Sequence, residues 1–387
     1  MAHPFDGSRS TDILEVLIEN GFDGMAKAVS MLINEAMLLE REKYLNATPY
    51  QRTEERESYS NGFKPKKIKS RVGELELAVP QTRDCKFYPS SLEKGIRSER
   101  ALKLALAQMY VEGVSTRKVA KITEELCGFE ISSSQVSTCA KLLDEEIAAW
   151  RNRQLGCYPY VIFDARYEKV RHGNCVVDSA IHIAIGIDEA GNRDILGVSV
   201  SLSEKEVHWR QFMQDLQERG LHGIRMIISD AHVGIKAGLR AVFPRVPWQR
   251  CQFHLQQNAQ SYVPKKSMKE EVASDIRAIL TATTLEDAKR NLDLAVKKYQ
   301  ESAPDLSAWM ESNVPESLTV FMVPENQRKK LRTSNLLERV NKEIKRRTRV
   351  VTVFPSTDSC LRLISAVLME IADEWQTAKR YLPLANE

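Results

Sequence analysis

The feature that most limits the fold of this 387-residue chain is the order of elements in its central third. β-Branched apolar runs and turn signals predict a strand at 158–164, a second at about 176–187, a turn at Asp188-Glu189-Ala190-Gly191-Asn192 and a third strand at about 195–202, an antiparallel meander. Val207, Phe212, Met213 and Leu216 mark an amphipathic helix ending at Gly220. A strand ending in Asp230, a helix over about 233–242 and a short strand near 248–253 follow. The order βββαβαβ makes the class α/β with a mixed sheet.

Two of these strands end in an aspartate, Tyr160-Val161-Ile162-Phe163-Asp164 and Arg225-Met226-Ile227-Ile228-Ser229-Asp230, and a basic helix much later carries Glu338. Carboxylates delivered by strand ends converge at one edge of a sheet, where they can hold divalent cations. Mg²⁺ takes oxygen ligands and keeps several waters, so two or three carboxylates plus a phosphate suffice, without a cysteine or histidine set. Taken alone, an Asp at a strand end is usually a turn or cap residue. Asn335-Leu336-Leu337-Glu338 also fits a plain capping box with Asn335 as N-cap.

Composition bounds the class. At 43% hydrophobic and 28% charged residues the chain reads as globular, with room for two or three domains. The net charge of +4 hides local stripes: residues 328–349 hold ten Lys/Arg against two Glu, and 64–71 hold five basic residues. Such stripes suit an anionic partner, nucleic acid above all, although a charge run is usually a solvated face. Seven scattered cysteines without a CxxC pair argue against a disulfide framework. The start Met1-Ala2-His3-Pro4 lacks the marks of a secretory signal, and no run reaches the ~18 apolar residues of a membrane span, so the expected location is cytoplasmic, with the nucleoid.

Along the chain, helical spacing covers about 11–46, and 59–80 shows a turn at Asn61-Gly62, a basic run (Lys66, Lys67, Lys69) and alternating Val72, Leu75, Leu77 and Val79, which suggest a hairpin or small sheet. Residues 97–150 return to helix. There Ser115 caps a basic helix bearing Arg117 and Lys118, Gly128 breaks it, and Ser132 opens a second helix bearing Ser134 and Gln135. This is either a helix-turn-helix that sets its second helix in the major groove or an unspecialised helical hairpin. Asp230 and Glu338 are 108 positions apart, more than the core needs, and about 258–325 has helical pattern. It reads as an inserted helical region that holds DNA or serves as a spacer.

The chain resembles a known family in a series of blocks: Asp164-Ala165-Arg166-Tyr167-Glu168-Lys169-Val170-Arg171; Gly186-Ile187 with Ile195-Leu196-Gly197; Trp209; Ser229-Asp230-Ala231-His232-Val233-Gly234; Trp248 to His254; and Thr333-Ser334-Asn335-Leu336-Leu337-Glu338-Arg339-Val340-Asn341. They resemble bacterial insertion-sequence transposases related to eukaryotic Mutator elements, and the likeness covers nearly the whole chain. Ser334 stands where that family commonly has a second Thr. The resemblance implies a ribonuclease H-like core with an all-α insertion, and a catalytic, metal-binding triad of Asp164, Asp230 and Glu338. It implies two Mg²⁺ ions, with Mn²⁺ as a substitute. Asp164 would bridge both, with Asp230 on one and Glu338 on the other. The expected partners are double-stranded DNA, both the terminal inverted repeats and the target, and a second copy of the chain. The expected domains are a helical dimerisation and DNA-binding region (1–57), a small basic β segment (58–96), the helix-turn-helix-like region (97–150), the core in two parts (151–257 and 327–387) and the insertion (258–326). Two other classes stand beside this reading: a structure-specific nuclease of the same fold, and a non-catalytic DNA-binding regulator.

Further candidates surround the triad. Cys251-x-x-His254 has zinc-like spacing but no partner pair nearby, so Cys251 is expected to be packed and His254 to contact the scissile phosphate or position a ligand. His232 is a weaker candidate of the same kind. Trp209 is either a platform for an exposed base or a core aromatic. Arg166 and Arg171 would contact phosphates or make salt bridges, and Arg332, Asn335, Lys342, Lys345, Arg346 and Arg347 would line a DNA-facing surface.

Overall fold

A computed structural model describes residues 9–383 apart from Cys85, Glu93 and Ile96. The start of the chain read above for a signal, and Cys85 of the cysteine set, lie outside the described residues. Two compact units divide between Leu142 and Leu143.

The first unit opens with α1 (Arg9–Asn20) and α2 (Met25–Leu45), as the spacing predicts. Antiparallel β1 (Ser60–Ser70) and β2 (Gly73–Thr82) follow, and Met37 of α2 meets Ile68, Leu75, Leu77 and Val79 in a small core. Polar residues of α2 occupy the outer edge of β2: Ser30 Oγ accepts from the Glu76 N–H at 3.2 Å and Asn34 Oδ1 from the Ala78 N–H at 2.8 Å. These bonds satisfy an edge that would otherwise template further pairing. The hairpin turn is not at Asn61-Gly62 as expected but at Arg71-Val72, beside Gly73 at φ +123°. Gly62, at φ +70°, lies inside β1 where the register shifts, because a left-handed glycine serves a bulge as well as a reversal.

Helices α3 (Arg100–Val111), α4 (Thr116–Cys127) and α5 (Ser133–Cys139) complete this unit. Ser115 accepts from the Lys118 N–H to cap α4, Gly128 at φ +70° ends it, and Ser132 and Gln135 form a reciprocal capping box at α5. The helix, glycine turn and helix read from the sequence are therefore present. The last residues grouped with that block belong instead to the second unit: Asp144, the first residue of α6 (Asp144–Arg151), pairs with Arg362 on the final helix.

In the second unit β3 (Tyr160–His172), β4 (Cys175–Ile187) and β5 (Arg193–Ser201) form the expected meander. β6 (Met226–Ser229), reached through α7 (Glu206–Glu218), and β7 (Trp248–Arg250), reached through α8 (Val233–Val242), add in parallel on the other side of β3. The order β5-β4-β3-β6-β7 is a mixed sheet. One face packs Val161, Phe163 and Ile227 against Trp209, Phe212, Met213, Ile235 and Leu239 of α7 and α8. Gly234 lets α8 approach the segment before α7 so closely that a Cβ there would stand 1.9 Å from the Glu204 carbonyl oxygen.

After α9 (Gln252–Ala259), helices α10 (Lys269–Leu280), α11 (Leu285–Tyr299) and α12 (Pro304–Asn313) pack around their own core of Ile276, Ile279, Leu292, Leu306 and Met310. The chain rejoins the sheet through buried polar contacts: Gln249 Nε2 donates to the Ser317 carbonyl at 2.8 Å, and Gln249 Oε1 accepts from the Val320 N–H at 2.6 Å. Finally α13 (Glu325–Leu331), α14 (Asn335–Thr348) and α15 (Thr357–Gln376) follow, the last two packing on the sheet. β3 differs from expectation. It runs on to His172, paired with β4 throughout, so Asp164 is within a strand and Arg166 and Arg171 are strand residues. No described helix is long and apolar enough to cross a membrane.

Candidate active site

β3 and β6 pair in parallel, Tyr160 with Met226, Val161 with Ile227 and Ile162 with Ile228. The same offset sets Asp164 level with Asp230, just beyond the last paired residues. Because side chains alternate along a strand, Asp164 points away from the face that Val161 and Phe163 share with α7 and α8. It meets α14 instead: Asn341 Nδ2 donates to Asp164 Oδ2 at 3.0 Å. Arg166 Nη1 donates to the Asn341 carbonyl at 2.6 Å and pairs with Glu168, which accepts from Thr348 Oγ1 at 2.8 Å. These bonds tie α14 along β3.

Glu338 lies three residues before Asn341, one turn along the same helix face, and its Oε1 is buried without a hydrogen-bond partner. The capping box read for Asn335 and Glu338 is absent. Ser334 is the N-cap, with no side-chain cap bond. Its backbone N–H and Oγ instead meet Cys251 Sγ at 3.3 and 3.2 Å. The packed thiol, fully buried as expected, therefore pins the start of the helix that carries Glu338.

Burial, then repulsion from Asp230, push the Asp164 carboxyl up to about 7, against the favourable charge of His254. His254 moves up to about 9: its hydrogen bond to Cys251 outweighs burial, and the charges of Cys251, Asp164 and Asp230 add to the rise. Burial alone would raise the Cys251 thiol, yet hydrogen bonds from His254 and Ser334 bring it below its ordinary value. His254 Nδ1 is itself buried without a partner. The site thus holds two crowded aspartates beside a protonated imidazole.

The donor set fits hard divalent cations. A buried carboxylate that resists ionisation next to another, and a glutamate oxygen with no donor, both gain from a positive charge. Among the described residues no three His, Cys, Asp or Glu side chains stand close enough to hold one ion. An arrangement in which each of two ions takes two protein carboxylates, with water and phosphate completing the shell, needs no such trio.

Several expected contacts have other work. Trp209 is fully buried against Phe163, Phe212 and His182 and is a core aromatic, not a base platform. Arg166 fastens α14 and makes the salt bridge that was the alternative to a phosphate contact, whereas Arg171 is exposed. Arg347 is buried between Glu343 and Glu370, and Arg346 is held by Glu343. Lys342 and Lys345 are exposed, as are Asn335, Arg117, Lys118 and Ser134, while Arg332 is half-buried. Gln135 is committed to its capping box, and His232 caps α8, its Nδ1 accepting from the Gly234 N–H at 3.2 Å. Lys66, Lys67 and Lys69 all bind groups of their own unit. Asn341 was quoted in a sequence block without a role, although its spacing from Glu338 could have suggested one. Glu204, which acts electrostatically on Asp164, carries no sequence signal.

Comparison with known proteins gives the family. The family described as "Transposase, Mutator family" matches residues 8–378. The transposase for insertion sequence element IS406 of Burkholderia multivorans is 52% identical over 368 residues, 95% of each chain. That for ISRM5 of Rhizobium meliloti is 40% identical over 374 residues, 96% of this chain and 94% of the relative. That for IS256 in transposon Tn4001 of Staphylococcus aureus is 38% identical over 380 residues, 97% of each. This chain belongs to the Mutator family of transposases.

Proposed function

We propose that the protein binds the terminal inverted repeats of its own insertion sequence, cleaves DNA strands there and joins a freed 3′-hydroxyl to another phosphodiester. The observation that carries this reading is the pair Asp164 and Asp230, level on adjacent parallel strands, where burial and then the charge of Asp230 oppose ionisation of Asp164. The sheet order and the helical stretch before Glu338 support a ribonuclease H-like core with an all-α insertion.

Asp164, Asp230 and Glu338 would hold two Mg²⁺, or Mn²⁺ in their place. Bound there, the metals would activate the attacking oxygen and stabilise the leaving one. Asn341 orients Asp164 through one oxygen and leaves the other to bind. Cys251 fixes the start of α14 and so the position of Glu338. His254 keeps its proton at neutral pH and offers positive charge to the phosphate beside the aspartates. Water or the 3′-hydroxyl is the nucleophile, so no covalent protein intermediate forms. Exposed Lys342, Lys345 and Arg349 on and after this helix would take backbone phosphates. The helix-turn-helix of α4 and α5 would read the repeats. Exposed Leu14, Ile18, Phe22 and Leu32 on the opening helices supply an apolar surface for a second copy, as pairing two element ends requires.

Strand cleavage and joining on a labelled duplex carrying the element's end, with Mg²⁺, tests the reading. The wild type should give nicked and joined products, while Asp230→Asn and Glu338→Gln bind the ends without reacting. Full activity in either variant would remove that residue from the metal site. Nicking without joining would favour a nuclease, and binding without cutting under any metal would favour a regulator.

A further inference from the structure

A second concavity of about 410 Å³ opens beside the aspartate pair, on the α8 side of the sheet, lined by Tyr167, Glu204, Lys205, His232 and Val233 among others. Tyr167 follows Asp164 by three residues on β3, about 10 Å along the strand, and His232 follows Asp230 by two. The cleft lies on the face of the sheet opposite the Asp164 side chain and adjoins the reacting centre at the end of β6, where Glu204 still acts electrostatically on Asp164 and feels Asp230.

Its lining selects a ligand class. Tyr167 is half exposed and Val233 is 79% exposed, so flat apolar surface faces the opening without a protein partner. The Tyr167 hydroxyl is hydrogen-bonded to Glu204, which fixes the ring. Glu204 is only 11% exposed, an acceptor turned inward from the segment between β5 and α7. His232 has its Nδ1 occupied by the Gly234 N–H, so the 3.5 Å approach of Glu204 to that nitrogen is not a second hydrogen bond, and the ring stands as a fixed wall. The lining sets the carboxylates of Glu204 and Glu206 against the single ammonium of Lys205, so it gives a phosphate group no net attraction. A ligand with an apolar face and N–H donors at its edge meets every one of these conditions, and a nucleobase is such a ligand.

We propose that this cleft receives one unpaired base of the element's end, stacked on Tyr167 and bounded by His232, with Glu204 holding the tyrosine ring and accepting from the base edge. The proposal rests on the function given above and names where the nucleotide next to the reacting phosphate goes. The surface expected for Trp209 is provided by Tyr167, because the tryptophan is enclosed in the core.

The test is a cycle of protein and DNA changes with full-length protein. Wild type, Tyr167→Ala, Tyr167→Phe and Glu204→Gln are each given duplex ends in which the nucleotides around the cleavage position are replaced one at a time by an abasic site. Loss of a base stack worth about 1–3 kcal/mol should slow Tyr167→Ala by about 5- to 150-fold on the intact end. At one position the abasic end should slow the wild type similarly and add nothing to Tyr167→Ala. Tyr167→Phe, which keeps the ring, should stay near wild type. A Tyr167→Ala deficit that persists undiminished at every abasic position, or no deficit at all, overturns the proposal. Equilibrium binding to the same ends, forked at the cleavage position, repeats the cycle without requiring cleavage. A wild type that binds but never cuts breaks the proposed function, while the binding cycle still decides the cleft.

Discussion

On β1, Lys67 is held between Glu74 and Glu76 at 3.0 and 2.8 Å, Lys66 donates to the Tyr88 hydroxyl at 3.1 Å, and Lys69 donates to the Glu130 carbonyl at 2.6 Å. Around α14, Lys342, Lys345 and Arg349 are exposed and make no ion pair among the described residues, while Glu343 and Glu370 hold Arg346 and Arg347. Both stretches are basic to the eye, yet Lys66, Lys67 and Lys69 of one are engaged inside their own fold, whereas Lys342, Lys345 and Arg349 of the other are open to a partner. The helical stretch 258–326 makes the same point from the opposite side. With eight basic and eleven acidic residues around its own apolar core, its net charge offers DNA phosphates no general attraction.

The contrast can be broken at several points. The largest effect is expected at Glu338→Gln, which should lower strand cleavage by about 100-fold or more while end binding stays within about twofold. A parallel loss of binding would mean that the acid and the basic surface of α14 cannot be separated. Next, replacing Lys342, Lys345 and Arg349 together by Ala should reduce the slope of log K against log salt by about 2.7, if each meets one phosphate. An unchanged slope in a titration would place the DNA elsewhere.

A smaller effect concerns acid stability. The hydrogen bond from Arg346, against burial, and that from Arg347 hold the Glu343 carboxyl down at about 2. A group whose folded value is depressed contributes stability above its unfolded value, and that contribution is lost as pH falls from about 4.5 towards about 2. Glu343→Gln should therefore flatten the acid-unfolding curve in that window, and identical curves would show that the pairs add nothing. The smallest effect is expected at Lys67→Ala: DNA affinity within about twofold, and a melting temperature unchanged from wild type, because the pairs are exposed. A tenfold loss of affinity would reverse the comparison and make β1 the DNA surface.

Much of the architecture was legible beforehand. The meander, the two later strands and the intervening helices follow from period-2 and period-3.6 apolar patterns, and the glycine and serine signals located α4 and α5. Errors arose where one local signal serves two geometries. Asn61-Gly62 is a bulge, β3 continues eight residues beyond Asp164, and Ser334 turns its hydroxyl to Cys251 where a cap at Asn335 was the alternative reading.

By itself the sequence determined the residue types at the site, the strands that present Asp164 and Asp230, and the family, since each depends on local pattern or on whole blocks of residues. Only the tertiary structure decided which groups remain available. Trp209 and Tyr167 are both aromatic residues near the aspartates, and packing enclosed one and left the other open. Availability depends on burial and on partners far away in the chain, as with Asn341 at Asp164 or Glu76 at Lys67, and no short window of sequence contains those distances.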